Sequence, residues 1–211
     1  MKDYPTYAHC AIICGQTGCG KTEFVLDLLE NEYKGVFINI IILCPTIIWN
    51  KAYKNRKWIS DIKNPVDKRV IIVNPVSENG EERLQETLRF FFQRYAGQPT
   101  LYIIDDCSAT KSLTKKKDML SELAFSGRHA EQSVWVISQR YNSVLKDLRE
   151  QTKWLCIFYT KGRDSFEECM RENDVLSLDE RKKMRELLTK HKHSKLIIRT
   201  DQPTGYWFLE N

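Results

Sequence analysis

Residues Gly15 to Thr22 read GQTGCGKT and fit G-x-x-x-x-G-K-[ST] without a mismatch. The flanks turn that match into a constraint on the fold. The apolar run HCAIIC ends where the glycines begin, and from Thr22 to Glu32 the residues Phe24, Val25, Leu28 and Leu29 recur on one helical face. A strand, a glycine-rich turn and a helix in this order aim successive backbone N–H groups and the positive end of a helix at one point. A phosphate chain fits there. Lys21 is spaced to reach the β- and γ-phosphates, and the Thr22 hydroxyl to ligate Mg²⁺. Gly15, Gln16, Thr17, Gly18, Cys19, Gly20, Lys21 and Thr22 are the expected nucleotide-binding residues, with ATP and Mg²⁺ as cofactors. Cys19 lies inside the loop, where a thiol near a helix N-terminus can be reactive. The simpler reading is a small residue that the loop tolerates, whose N–H matters more than its sulfur.

The rest of the chain alternates strand and helix patterns. VFINIIILC, RVIIV, LYIID, SVWVIS and WLCIFY are apolar and rich in β-branched or aromatic residues, as buried strands are. IIWNKAYKNRKWISDI and Glu81–Tyr95 read as helices, the second with Leu84, Leu88, Phe91, Phe92 and Tyr95 on one face. Ser177 and Glu180 have capping-box spacing ahead of Met184, Leu187 and Leu188. KLIIR and YWFLE are expected to close the chain as a β-hairpin around TDQPTG. The pattern predicts an α/β fold: a mostly parallel sheet with helices on both faces, a three-layer αβα sandwich. The 211 residues suffice for one such domain, residues 1–211, and not for two. Ligands then belong at the carboxyl ends of the strands.

Two acids stand at such an end. In LYIIDD, Asp105 is placed to hold Mg²⁺ and Asp106 to orient or deprotonate an attacking water. Two predicted strands, VFINIIILC and RVIIV, intervene between the loop and this acid. That spacing points to the additional-strand class of P-loop ATPases, with an extra strand between the phosphate-loop strand and the acidic strand. In that class a carboxylate beside the Mg²⁺ acid activates water, which favours hydrolysis over transfer to an acceptor. Gln139 ends the next strand, where a polar side chain can touch the γ-phosphate or the lytic water.

Taken together, GQTGCGKT, LYIIDD and GRHAEQSVWVISQRYNSVLKDLR resemble the viral genome-packaging ATPases of the poxvirus A32 type, in the FtsK–HerA group of DNA-pumping motors. The third motif is the most specific: Gly127-Arg128-His129, a strand, Ser138-Gln139-x-Tyr141, then Leu148-Arg149. The resemblance covers Ala8 to Thr160. It implies an ATPase that works as a ring and pushes double-stranded DNA into a preformed capsid, with a capsid or portal-type protein as partner. By motif position it implies phosphate and Mg²⁺ binding by Lys21 and Thr22, Mg²⁺ binding by Asp105, Asp106 as base and Gln139 as sensor. Arg128 or Arg149 is implied as a charge given to the neighbouring subunit's γ-phosphate. The wider group has Glu where Asp106 stands, one methylene longer.

Charge is less decisive. The formal +5 suits nucleic-acid contact without requiring it. KAYKNRKW, with Lys54 and Arg56, and KSLTKKK, with Lys115, Lys116 and Lys117, are candidate DNA contacts, as is TKHKHSK near the end. Each also reads as a solvated face, and His191 and His193 in the last as a solvated turn. No apolar h-region opens the chain and no run is long enough to span a bilayer, so an intracellular, non-secreted protein of the infected host cell, without membrane contact, is expected. Seven cysteines without a CxxC pair suit reduced thiols. Two alternatives stay open: a P-loop kinase acting on a small acceptor, and a nucleotide-dependent assembly scaffold with little turnover.

Overall fold

The computed structural model describes residues 4–76, 83–107, 118–202 and 205–210. Among the described residues eight strands form one sheet: β1 Cys10–Cys14, β2 Asn39–Leu43, β3 Val70–Val73, β4 Thr100–Asp105, β5 Gln132–Ser138, β6 Thr152–Phe158, β7 Lys195–Arg199 and β8 Tyr206–Leu209. Their order is β3-β2-β4-β5-β1-β6-β7-β8. The first six are mutually parallel, and β6–β7 and β7–β8 pair antiparallel. The expected C-terminal hairpin is therefore present. So is the extra strand, although it is neither of the two that intervene in the chain. β5 occupies the place between β1 and β4, pairing Ile12 with Val136 on one side and Ile104 with Val136 on the other. β2 and β3 lie outside β4.

The strands are apolar throughout because both faces are covered. Along β1, Cys10, Ile12 and Cys14 face one core and Ala11 and Ile13 the other. The first core is covered by α3 (Leu84–Arg94), α4 (Asp118–Ser126), α5 (Lys146–Gln151), α6 (Arg163–Glu172) and α7 (Leu178–Lys190). The second is covered by α1 (Lys21–Glu30) and α2 (Lys51–Lys54). α7 begins with the predicted capping box: Ser177 N–H donates to Glu180 Oε2 at 2.8 Å, and Glu180 N–H to Ser177 Oγ at 3.4 Å. The long helix expected over IIWNKAYKNRKWISDI contracts to Lys51–Lys54. Turns take the rest, with Ser60 at φ +39. Among the described residues no helix is long and apolar enough to cross a membrane.

Aromatic rings fill the second core. Trp135 of β5 meets Trp154 of β6 edge-on at 5.4 Å and Tyr33 at 4.8 Å between centroids. Its Nε1–H donates to His9 Nε2 at 2.9 Å. That nitrogen must accept, so the proton sits on Nδ1, which donates to the Tyr7 carbonyl at 2.6 Å. Burial pushes the His9 imidazole down from 6.5 to about 4. The unfolded chain takes up this proton near pH 6.5 and the folded chain does not. His9 therefore leaves stability intact above that pH and lowers it by about 3 kcal/mol as pH falls toward 4. Denaturant midpoints between pH 7 and 4 should show this fall, and His9→Gln should flatten it.

Candidate nucleotide site

β1 delivers its last residue to the edge of the sheet, and the loop departs from there. Gly15 has φ +155, and a Cβ on it would lie 2.6 Å from Phe158 Cβ on β6, so no side chain fits. Gly20, at φ +97, opens α1 without a side-chain cap. The first-turn N–H groups of α1 thus take no side-chain partner from that position, as an anion site requires. Lys21 folds back across the loop, donating from Nζ to the Gly15 carbonyl at 2.7 Å and the Gln16 carbonyl at 2.9 Å. The ammonium is held over the loop by its own backbone. Cys19 is fully buried, and burial pushes its thiol up. A reactive thiol at this place therefore does not follow from the helix N-terminus.

The acids arrive from β4. Asp105, its last residue, is 4% exposed, and Oδ2 accepts from Thr22 Oγ1 at 2.9 Å and from Tyr53 OH at 2.8 Å. Burial raises its carboxyl, while the two hydroxyls pull the other way. Thr22 and Asp105 are adjacent oxygen donors, the hard ligand set that Mg²⁺ takes alongside phosphate oxygens and water. Asp106 turns away at φ +54, and its Oδ2 accepts from Thr46 Oγ1 at 2.8 Å. Gln139 follows β5 and is exposed. A cleft of about 370 Å³ has Thr22, Asp105, Asp106 and Gln139 on its walls together with Lys21 and the loop glycines Gly18 and Gly20. The inserted position of β5 puts Gln139 beside the loop, since Ser138 pairs with Cys14.

Thr46 and Tyr53 escaped sequence reading, as both reach the acids from the distant segment after β2. A hydroxyl after an apolar strand in CPT carries only a weak signal. Thr46 fixes the rotamer of Asp106, so Thr46→Val is expected to lower kcat up to about tenfold while leaving nucleotide affinity unchanged. Steady-state kinetics beside equilibrium titration separates the two. The TKHKHSK turn is exposed over residues 189–193, as a solvated face is, and it also touches the loop. His193 is exposed, yet its Nδ1 lies 3.0 Å from the Cys19 carbonyl, and a Cβ on Gly18 would lie 3.6 Å from Lys192 Nζ.

The remaining expected residues lie elsewhere. Arg128 is exposed in a 3-10 turn, Gly127–Ala130, that leads into β5, so the length of that strand separates it from Gln139. Arg149 on α5 is 10% exposed; it pairs with Glu172 and, at 3.5 Å, with Glu168, and its guanidinium stands 5.2 Å over the Tyr141 ring. Its charge is engaged within the chain. Arg140, adjacent to Gln139 and exposed, lines a neighbouring cleft with Gln16 and Thr17. Lys54 is exposed at the end of α2. Arg56 binds Glu23, with Asp27 and Glu30 both at 2.8 Å, and so ties the α2 segment to α1 rather than facing outward. Lys115, Lys116 and Lys117 lie outside the described residues.

The Poxvirus A32 protein family matches this chain over residues 6–201. No curated protein matches. Among solved structures, the genome-packaging NTPase B204 of Sulfolobus turreted icosahedral virus 2, in complex with AMPPCP, is 18% identical, with a TM-score of 0.67 over 98% of this chain and 99% of that one. B204 of Sulfolobus turreted icosahedral virus, a DNA-packaging ATPase, is 15% identical, with a TM-score of 0.71 over 98% of both chains. The conjugation coupling protein TcpA of pCW3, with ATPγS, is 11% identical, with a TM-score of 0.58 over 92% of this chain and 58% of that one. At these identities the likeness is one of fold.

Proposed function

Since the chain belongs to the Poxvirus A32 protein family, we propose that it hydrolyses ATP to drive double-stranded viral DNA into a preformed capsid. The observation that carries this reading is the single cleft shared by the loop, Thr22, Asp105, Asp106 and Gln139. The loop N–H groups and Lys21 bind the phosphates. Thr22 and Asp105 hold Mg²⁺, which neutralises charge on the β- and γ-oxygens. Asp106, partly exposed and aimed by Thr46, takes the proton of the attacking water. Gln139 contacts the γ-phosphate or that water and so reports which nucleotide is bound. An acid beside the Mg²⁺ acid suits water as acceptor better than the small hydroxyl acceptor of a kinase. The packaging role named for B204 supports extending this chemistry to DNA.

The working unit is a homo-oligomeric ring. Arg128 stands at the end of the sheet opposite Gln139, so it serves a neighbouring subunit's γ-phosphate and not its own. Arg149 is committed to Glu168 and Glu172, which leaves Arg128 as the trans-acting arginine. Arg128→Ala is expected to lower turnover on the order of 10³-fold, with recovery in rings mixed with Lys21→Ala subunits; a defect without recovery places the arginine elsewhere. DNA contact falls to exposed lysines such as Lys54 and to the Lys115–Lys117 segment, and the capsid or portal-type partner is met at the assembly site in the infected cell. ATP turnover measured across protein concentration, with and without double-stranded DNA, tests the reading. The rate per subunit should rise with concentration and with DNA. A DNA-insensitive rate with phosphate delivered to a small acceptor would establish the kinase instead.

A further inference from the structure

A second cavity, of about 490 Å³, adjoins the phosphate cleft and shares Gly20 and Glu23 with it. One wall is α1, where Glu23 and Asp27, and Phe24 and Leu28, follow each other at helical spacing. The opposite wall is Phe158 at the end of β6, Leu209 of β8 and His193 in the turn before β7. The floor is thus largely apolar and aromatic, with Lys195 as its cationic member. The rim carries Glu32 and Glu210, both exposed acids.

We propose that this groove holds the base and ribose of the nucleotide, with His193 as the side chain that contacts the base. The assignment rests on reading the loop as a nucleotide site. A phosphate chain lying along the loop and the first turn of α1 leaves that turn at Glu23, where the two cavities join. An acidic rim opposes a further phosphate, whereas an apolar floor with carboxylates around it suits a flat neutral ring bearing amino donors. His193 is fixed for the task. The Cys19 carbonyl can only accept, so Nδ1 donates to it at 3.0 Å and Nε2 is the ring nitrogen left to meet the base. Lys195 lines the same groove and holds the turn: its Nζ donates to the His193 carbonyl at 3.1 Å and stands 5.3 Å from the Phe24 ring and 5.5 Å from the Phe158 ring. The cluster that reads in sequence as a DNA-contacting or solvated turn is, in the fold, the base side of the nucleotide cleft.

Calorimetric titration with Mg²⁺-ATP and with Mg²⁺-tripolyphosphate tests this, since the second ligand has no base. Wild-type protein should bind ATP more tightly than tripolyphosphate. His193→Ala, at an exposed position, should weaken ATP about tenfold, which is about 1.4 kcal/mol, and leave tripolyphosphate within about twofold. Equal weakening of both ligands would assign His193 to loop positioning and overturn the proposal, as would unchanged affinity for both. If the wild-type protein binds neither ligand, the nucleotide reading itself fails and the base site with it. His193→Gln, which keeps an acceptor, should recover part of the ATP affinity; no recovery beside a stable fold would count against Nε2 as the contact.

Discussion

Lys21→Ala is expected to abolish ATP turnover, with kcat/KM falling on the order of 10³-fold or more. The ammonium stands over the loop, donating to the Gly15 and Gln16 carbonyls at 2.7 and 2.9 Å. It supplies the loop with a full positive charge to meet the phosphates, and it stabilises the charge that shifts onto the leaving oxygens. Alanine removes both effects. Lys21 is partly exposed and its hydrogen bonds are to loop carbonyls, so the fold should survive and the loss should appear in both affinity and rate. A radiolabelled phosphate-release assay beside equilibrium titration reads the two together. Wild-type turnover in this variant would remove the loop from the active site.

Asp106→Ala should separate binding from chemistry. The Asp106 carboxylate lies off the Thr22–Asp105 pair, hydrogen-bonded to Thr46, and in the proposed reaction it is not needed to hold the phosphates. Loss of a positioned base lowers the rate by roughly 10²–10⁴-fold while ATP affinity stays near that of wild type. Thr46→Val acts on the same group at second hand, so its smaller effect should vanish in the Asp106→Ala background. A nucleotide-dependent scaffold would tolerate Asp106→Ala in full.

What the chain discloses in one dimension is the chemistry carried by contiguous segments. GQTGCGKT, the strand before it and the helix after it are local, and the fold reproduces them to within two residues at each end, as Cys10–Cys14 and Lys21–Glu30. Asp105 and Asp106 fall at the end of β4 because an apolar run followed by two acids has few other places to go. Strand order is not local. The two strands between the loop and Asp105 suggested the inserted strand, yet β5, which comes later in the chain, takes that place, pairing with β1 on one edge and with β4 on the other. The KAYKNRKW segment reads as helix by composition, but the Arg56 guanidinium is drawn to three carboxylates on α1, and the backbone turns to reach them. Arg149 has a similar history: its partners Glu168 and Glu172 come from a helix that starts after the next strand. Thr46, Tyr53 and His193 reach the two acids and the loop only through contacts spanning 60, 52 and 174 positions, and no local pattern encodes such contacts.

In the proposed function, ATP hydrolysis at this cleft moves the protein along duplex DNA. Displacement of a fluorescent third strand from a DNA triplex measures that movement directly. Displacement is expected with Mg²⁺-ATP, none with a non-hydrolysable analogue, and none with Lys21→Ala or Asp106→Ala protein. Robust ATP turnover on duplex DNA without release of the third strand would contradict it.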